Sequence, residues 1–244
     1  MISQEILKKL ALKYQTTQQN IQREYVQHLF LSALFQQEHS EGVFFKGGTA
    51  LKLVFGSPGF SEDLDFSANR LATADLGEAI LSTLAEISRQ GLVCDIQEAN
   101  ETSGGYYSRI SIRINQELVY LDFQVSQRKT GVSGEFITIP NDFIPVYGLM
   151  LLDRTQLIGE KIQAAIQRSK PRDFYDLYFL LRAGLMTKDE KDILVEIRSL
   201  LQKRASQINF SRELKMFLPV SQHTIINNFP APLFFEIDRF IASA

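Results

Sequence analysis

Two short stretches carry the residue types that phosphate chemistry requires. Lys46-Gly47-Gly48-Thr49-Ala50-Leu51 sets a glycine pair between an apolar run and a helix-forming one, and Ser61-Glu62-Asp63-Leu64-Asp65-Phe66 follows with two carboxylates at alternate positions. In extended chain Asp63 and Asp65 leave the same face, so both can grip one divalent cation. Gly47 and Gly48 permit the tight turn that opens a helix, whose first N–H groups and positive dipole end attract phosphate. Each stretch alone is weak, because a glycine pair is usually a turn and Asp-x-Asp is often a solvated loop. Their order and separation describe hardware for holding a triphosphate.

The flanking pattern says which elements position them. Apolar spacing predicts amphipathic helices over residues 3–14 and 20–37, a short strand over 43–46, a helix over 49–55 and turn chemistry at 57–59. A second strand follows over 64–67, then a helix over 74–90 closed by Gly91. From Leu92 the period changes to 2, and residues 93–98, 106–114 and 118–127 read as an antiparallel meander with its tightest turn at 115–117. In the last of these strands Val119, Leu121, Phe123 and Val125 share one face, and Tyr120, Asp122 and Gln124 the other. Asp122 is therefore either a solvent-facing residue or the third carboxylate of a two-metal site beside Asp63 and Asp65.

Residues 130–145, with Gly131, Gly134, Pro140 and Pro145, read as a link, which divides the chain into an α/β domain over 1–135 and a helical domain over 136–244. Helices are expected over 147–169, 171–184, 188–204, 211–217 and 233–242, with Pro171 at a first helical position and Gly184 as a stop. The fold class is α+β. Phe234 and Phe235 read as core, and Tyr106 and Tyr107 as strand residues of which one faces inward.

A formal net charge of −2 over 244 residues excludes a chain-wide electrostatic attraction to nucleic acid. The asymmetry is small, with 12 basic against 16 acidic residues through position 135 and 14 against 12 after it. Cys94 is the only cysteine, which excludes an internal disulfide and a cysteine-built zinc site and makes the cytosol the simplest compartment. The first ten residues hold an early acid and two lysines, unlike a signal peptide, and no apolar run approaches membrane-spanning length. His28, His39 and His223 lack metal-ligand spacing and read as packing or surface residues.

A second constellation lies in the helical half. Lys161, Ala164 and Arg168 fall on one stripe of a helix, and Arg172 and Asp173 open the next. An ordinary inter-helix ion pair and a dipole-complementing aspartate would account for them singly. Taken in order, however, Lys46-Gly47-Gly48-Thr49-Ala50-Leu51, Ser61-x-Asp63-Leu64-Asp65-Phe66, Lys161-x-x-Ala164-x-x-x-Arg168 and Arg172-Asp173-Phe174-Tyr175-Asp176 resemble the AbiEii/AbiGii family of nucleotidyltransferase toxins, which includes the MenT enzymes. The match covers most of the chain. It implies a polymerase β-like nucleotidyltransferase domain, a mixed sheet flanked by helices, followed by an all-helical C-terminal domain.

By the same resemblance Gly47, Gly48, Thr49, Ser61, Lys161 and Arg168 would bind the nucleotide, and Asp63, Asp65 and Asp122 would hold Mg2+ or Mn2+. Lys161 and Asp173 would complete the catalytic set. The implied reaction moves a nucleoside monophosphate from a nucleoside triphosphate to an acceptor hydroxyl, with tRNA as acceptor, in a cytoplasmic toxin–antitoxin or phage-defence system with a cognate antitoxin. Many members carry arginine two positions before the serine, where this chain has Gly59; Lys46 or Lys52 could stand in for it. Two other readings remain open at this point: transfer to a protein or small molecule, and a weakly catalytic nucleotide- or antitoxin-binding module.

Overall fold

Alternation of apolar and polar side chains sets the two faces of a seven-stranded mixed sheet. The computed structural model describes residues 2–38, 40–69, 71–128 and 131–243; His39 and Thr130, the first residue of the expected link, lie outside them. The strands are β1 (Val43–Lys46), β2 (Leu64–Asn69), β3 (Cys94–Thr102), β4 (Gly105–Ile114), β5 (Glu117–Arg128), β6 (Gly134–Ile139) and β7 (Tyr147–Leu152), in spatial order β3-β4-β5-β2-β1-β7-β6. The expected meander is present as β3, β4 and β5, turned between the last two at Asn115, whose φ is +55°. β5 then runs parallel to β2, and β1 pairs β2 antiparallel and β7 parallel.

Register decides what each strand buries. Phe45 lies opposite Phe66, and Leu64 opposite Phe123, so these side chains share the inner face. There the rings of Phe45 and Phe66 are 5.5 Å apart and those of Phe66 and Phe123 4.8 Å. All three rings are fully buried, and each burial contributes roughly 1.5–3 kcal/mol. Helices α1 (Gln4–Lys13), α2 (Gln18–Leu34), α3 (Gly47–Phe55) and α4 (Thr73–Arg89) complete this part of the chain, with α2 packed on α4, β5 and β7. Ser3 and Thr17 cap α1 and α2 by accepting from Ile6 N and Asn20 N, both at 3.2 Å.

The remaining helices are α5 (Arg154–Gln167), α6 (Pro171–Arg182), α7 (Lys188–Ala205), α8 (Phe210–Phe217), α9 (His223–Ile226) and α10 (Pro230–Ala242). They form a second compact unit, Arg154–Ala244 with Ser57–Gly59, while Met1–Gly56 and Phe60–Asp153 form the first. Phe174, Phe210 and Phe229 are the aromatic centre of the helical unit, with Phe210 5.8 Å from Phe174 and 5.0 Å from Phe229.

The break thus falls at Asp153, later than the 135/136 boundary expected from sequence, because the Gly- and Pro-containing segment holds a strand. β6 pairs along its whole length with β7, and β7 occupies residues expected to begin a helix. Tyr147-Gly148-Leu149-Met150-Leu151-Leu152 is a continuous apolar run, and periodicity alone does not separate a buried strand from a buried helix in such a run. Phe235 also departs from expectation: it is 66% exposed, while Leu233 and Ile237 are the core residues of α10. Neighbouring helical residues point about 100° apart, so Phe234 and Phe235 cannot both face one core.

His28 is a packing histidine. It is buried on α2 with Nδ1 2.8 Å from the Tyr147 hydroxyl, and burial lowers its pKa to about 4. A folded value below the unfolded one means that the unfolded chain takes up the proton first as pH falls. Stability is therefore present above about 6.5 and is lost from there down to about 4. Between pH 7 and pH 5 His28 accounts for a loss of about 2 kcal/mol. Urea unfolding of wild type and His28→Gln at the two pH values checks this: the difference between pH values should shrink by that amount in the variant.

Candidate active site

The glycine turn and the second carboxylate are in direct contact. β1 ends at Lys46, the N-cap of α3, and Gly47 takes φ +86° to start the helix. A Cβ at Gly47 would run into Asp65 Oδ2, with Asp65 Cβ at 2.8 Å and Cγ at 3.0 Å. Only glycine meets both conditions, a left-handed backbone and the near approach of a carboxylate. Lys46 and Asp65 are opposite residues of the β1–β2 pair, so Lys46, Asp63 and Asp65 project from the face that Phe45, Leu64 and Phe66 do not use. Asp63 and Asp65 are half-buried, and Lys46 is buried.

The α3 N-terminus has no side-chain cap. Its first-turn N–H groups therefore stand beside Asp65 without the serine, threonine or aspartate partner that usually takes them. Thr49 has a different task from the one expected. It is fully buried, and its hydroxyl donates to the Asp63 carbonyl at 2.5 Å, which ties the start of β2 to α3. Gln27 on α2 braces the same segment by donating to the Ser61 and Glu62 carbonyls at 2.9 and 3.3 Å. The Asp-x-Asp stretch is thus held at its backbone from two helices.

Asp122 shares the face of Asp65, since Gln124 lies opposite Asp65 and Asp122 precedes Gln124 by two. Its carboxylate, however, is already engaged. Arg109 grips it with Nε and Nη2, both at 2.7 Å, and the Tyr107 hydroxyl donates at 2.9 Å. Arg109 holds the Asp122 carboxyl below the usual carboxylate range, against the opposing effect of burial. Among the described residues no group of three or more His, Cys, Asp or Glu side chains is placed to hold a metal ion. Asp122 thus stands on the face of Asp65 with its carboxylate held by an arginine. Two carboxylates fit a Mg2+-type ion, which usually takes one or two of them together with substrate phosphates and water.

In the helical unit, Lys161 donates to Asp176 Oδ2 at 2.6 Å, both side chains being largely buried. Asp173 is 3% exposed and does two structural jobs, accepting from Lys170 N at 3.0 Å at the start of α6 and from Arg168 Nη2 at 2.6 Å. The catalytic part expected of Asp173 thus meets a helix cap, and Asp176, three residues on, is the carboxylate beside Lys161. That partner was within reach of the sequence, because i and i+3 share a helix face and the same aspartate closes the Arg172-to-Asp176 motif. Of the two lysines that could stand in for the arginine at Gly59, Lys52 is spent: it lies 3.5 Å from Glu24 and 3.8 Å above the Phe60 ring. Burial lowers the Lys52 pKa and raises that of Glu24.

The family model described as "Nucleotidyl transferase AbiEii toxin, Type IV TA system" matches residues 29–231, a span that contains Gly47, Asp63, Asp65, Asp122, Lys161 and Asp173. The chain belongs to the AbiEii family. Two solved structures share its fold. One is a protein assigned as a nucleotidyltransferase from H. pylori, with TM-score 0.64 and 21% identity over 92% of this chain and 96% of that one. The other is JHP933 from Helicobacter pylori, with TM-score 0.61 and 20% identity over 93% of each chain. No curated protein matches the sequence. AbiEii membership makes this a nucleotidyltransferase of a toxin–antitoxin system, and among the described residues no helix is long and apolar enough to cross a membrane.

The two glycines of interest in this AbiEii chain behave differently. A Cβ at Gly59 meets only ordinary contacts, 3.7 Å to Leu218 and Tyr175 and 3.8 Å to Ser57 Oγ. Gly47→Ala should therefore cost about 2 kcal/mol and displace Asp65, whereas Gly59→Ala should stay within about 0.5 kcal/mol of wild type. Urea midpoints of the two variants measured side by side give the comparison.

Proposed function

We propose that the protein is a divalent-metal-dependent nucleotidyltransferase that transfers a nucleoside monophosphate from a nucleoside triphosphate to the 3′ end of tRNA, as the toxin of its toxin–antitoxin pair. The observation that carries this reading is the contact of Asp65 with Gly47 at the uncapped start of α3. It sets a cation-binding carboxylate against N–H groups that suit a phosphate. A divalent ion on Asp63 and Asp65 supplies charge neutralisation at the reacting phosphate and a lowered pKa for the attacking hydroxyl.

The chain's own residues do the rest. Gly47 and Gly48 bring backbone donors up to the phosphates without an intervening Cβ, and Thr49 keeps Asp63 in place through its carbonyl. Ser61 lies in the same braced segment and serves the nucleotide. Within the helical unit, Asp176 orients Lys161 and Asp173 orients Arg168, and fixed positive charge of this kind suits a triphosphate. Asp122 joins the metal ligands only after parting from Arg109. In the transfer itself the acceptor oxygen bonds to the α-phosphorus, the bond from that phosphorus to the β-phosphate bridging oxygen breaks, and pyrophosphate leaves.

The test is to incubate purified protein and magnesium with each of four labelled triphosphates and total tRNA. Incorporation from at least one is expected, with loss to background in Asp65→Ala and on chelation. Asp176→Asn should reduce labelling while leaving Mn2+ binding unchanged. Intact metal binding with no incorporation from any triphosphate would overturn transfer to tRNA. Labelling of a cellular protein or metabolite, read by mass spectrometry, would replace the acceptor and keep the chemistry.

A further inference from the structure

The two units differ in charge far more than the two halves of the sequence do. The helical unit holds 14 Lys and Arg against 10 Asp and Glu, net +4, and the α/β unit holds 12 against 18, net −6. Within the helical unit the cations converge on one turn. The segment between α5 and α6 supplies Arg168, Lys170 and Arg172, and the last turn of α7 supplies Lys203 and Arg204. Arg204 Nη1 joins the two groups by donating to Ser169 Oγ at 3.0 Å. Ser169 itself takes the left-handed conformation, φ +52°, with its hydroxyl also reaching the Ala165 carbonyl at 2.9 Å.

These charges are poorly compensated. Asp173 is buried and engaged by Arg168, and Glu213 takes Arg172 at 3.0 Å. Lys170 and Lys203 are exposed and make no ion pair among the described residues. Arg204 Nε is buried without a hydrogen-bond acceptor among them. Helical packing alone gives no reason to leave Lys170 and Lys203 exposed without an acid beside them, whereas an anion with several oxygens pairs both.

We infer that the α5–α6 turn with the end of α7 is a binding site for the phosphate backbone of the acceptor nucleic acid, an assignment that rests on the proposed transfer to tRNA. Spaced cations on a fixed turn suit successive phosphates, and binding of this kind releases counterions and weakens steeply with salt. The chemistry is that of backbone contact without base readout.

Binding of fluorescently labelled total tRNA is measured by polarisation over a salt series, using Asp65→Asn protein so that no turnover occurs. In that background, Lys170→Glu with Lys203→Glu should raise Kd at least tenfold and reduce the slope of log Kd against log salt by about 2. Thermal unfolding of the same proteins should coincide, since neither lysine side chain makes an ion pair within the fold and the backbone contacts of both positions survive the substitution. Kd and slope within twofold of the parent would overturn the site. So would unchanged tRNA affinity with lost affinity for poly-glutamate, which would assign the patch to an acidic protein partner. Loss of tRNA binding on charge reversal, together with no nucleotide incorporation into RNA, would support the site while removing the transfer reading.

Discussion

Register in the central strands is the constraint on which the candidate site depends. Phe45, Phe66 and Phe123 meet on the inner face with Leu64, and this commits Lys46, Asp63, Asp65 and Asp122 to the other. Because the side-chain period of a strand is 2, a slip of one residue in β2 would bury both aspartates and expose the ring of Phe66. The energetic penalty for that slip comes from apolar burial far more than from anything the aspartates do. The carboxylates are thus positioned by hydrophobic residues that touch no substrate.

A second layer of control acts on the backbone. The position of Asp65 is compatible only with glycine at 47, and the position of Asp63 is tied to a buried threonine and to a glutamine on α2. Each device uses a neutral donor or the absence of a side chain. Asp122 is treated differently: Arg109 and Tyr107 neutralise and saturate it. The backbone of the Asp-x-Asp stretch is braced by neutral donors, and the Asp122 side chain by an arginine and a tyrosine.

Much of the fold was legible because strong local signals agreed with one another. The glycine turn, the Asp-x-Asp alternation, the three-strand meander and most helix boundaries follow from period, caps and turn residues. The β6–β7 hairpin was not legible: an apolar run next to a Pro- and Gly-containing segment does not reveal whether it will find a strand partner, and β7 finds one in β1, about a hundred residues away in sequence. The partners of Thr49 and Asp173 were not legible for a related reason. Both sit at positions where phosphate binding and helix-end bracing call for the same residue type, and only their observed partners separate the two.

The residue types and their order by themselves fixed an α+β scaffold, and the ordered motifs pointed to a family that its match bears out. Those conclusions rest on short-range rules of periodicity and turn chemistry, which a sequence displays directly. Tertiary structure alone decided which carboxylate meets which cation in two pairs: Asp122 with Arg109 and Asp173 with Arg168. It also brought Arg204 to a turn more than thirty residues earlier. Such pairings depend on strand register and helix packing, and those are set by burial summed over the whole core instead of by any local stretch of chain.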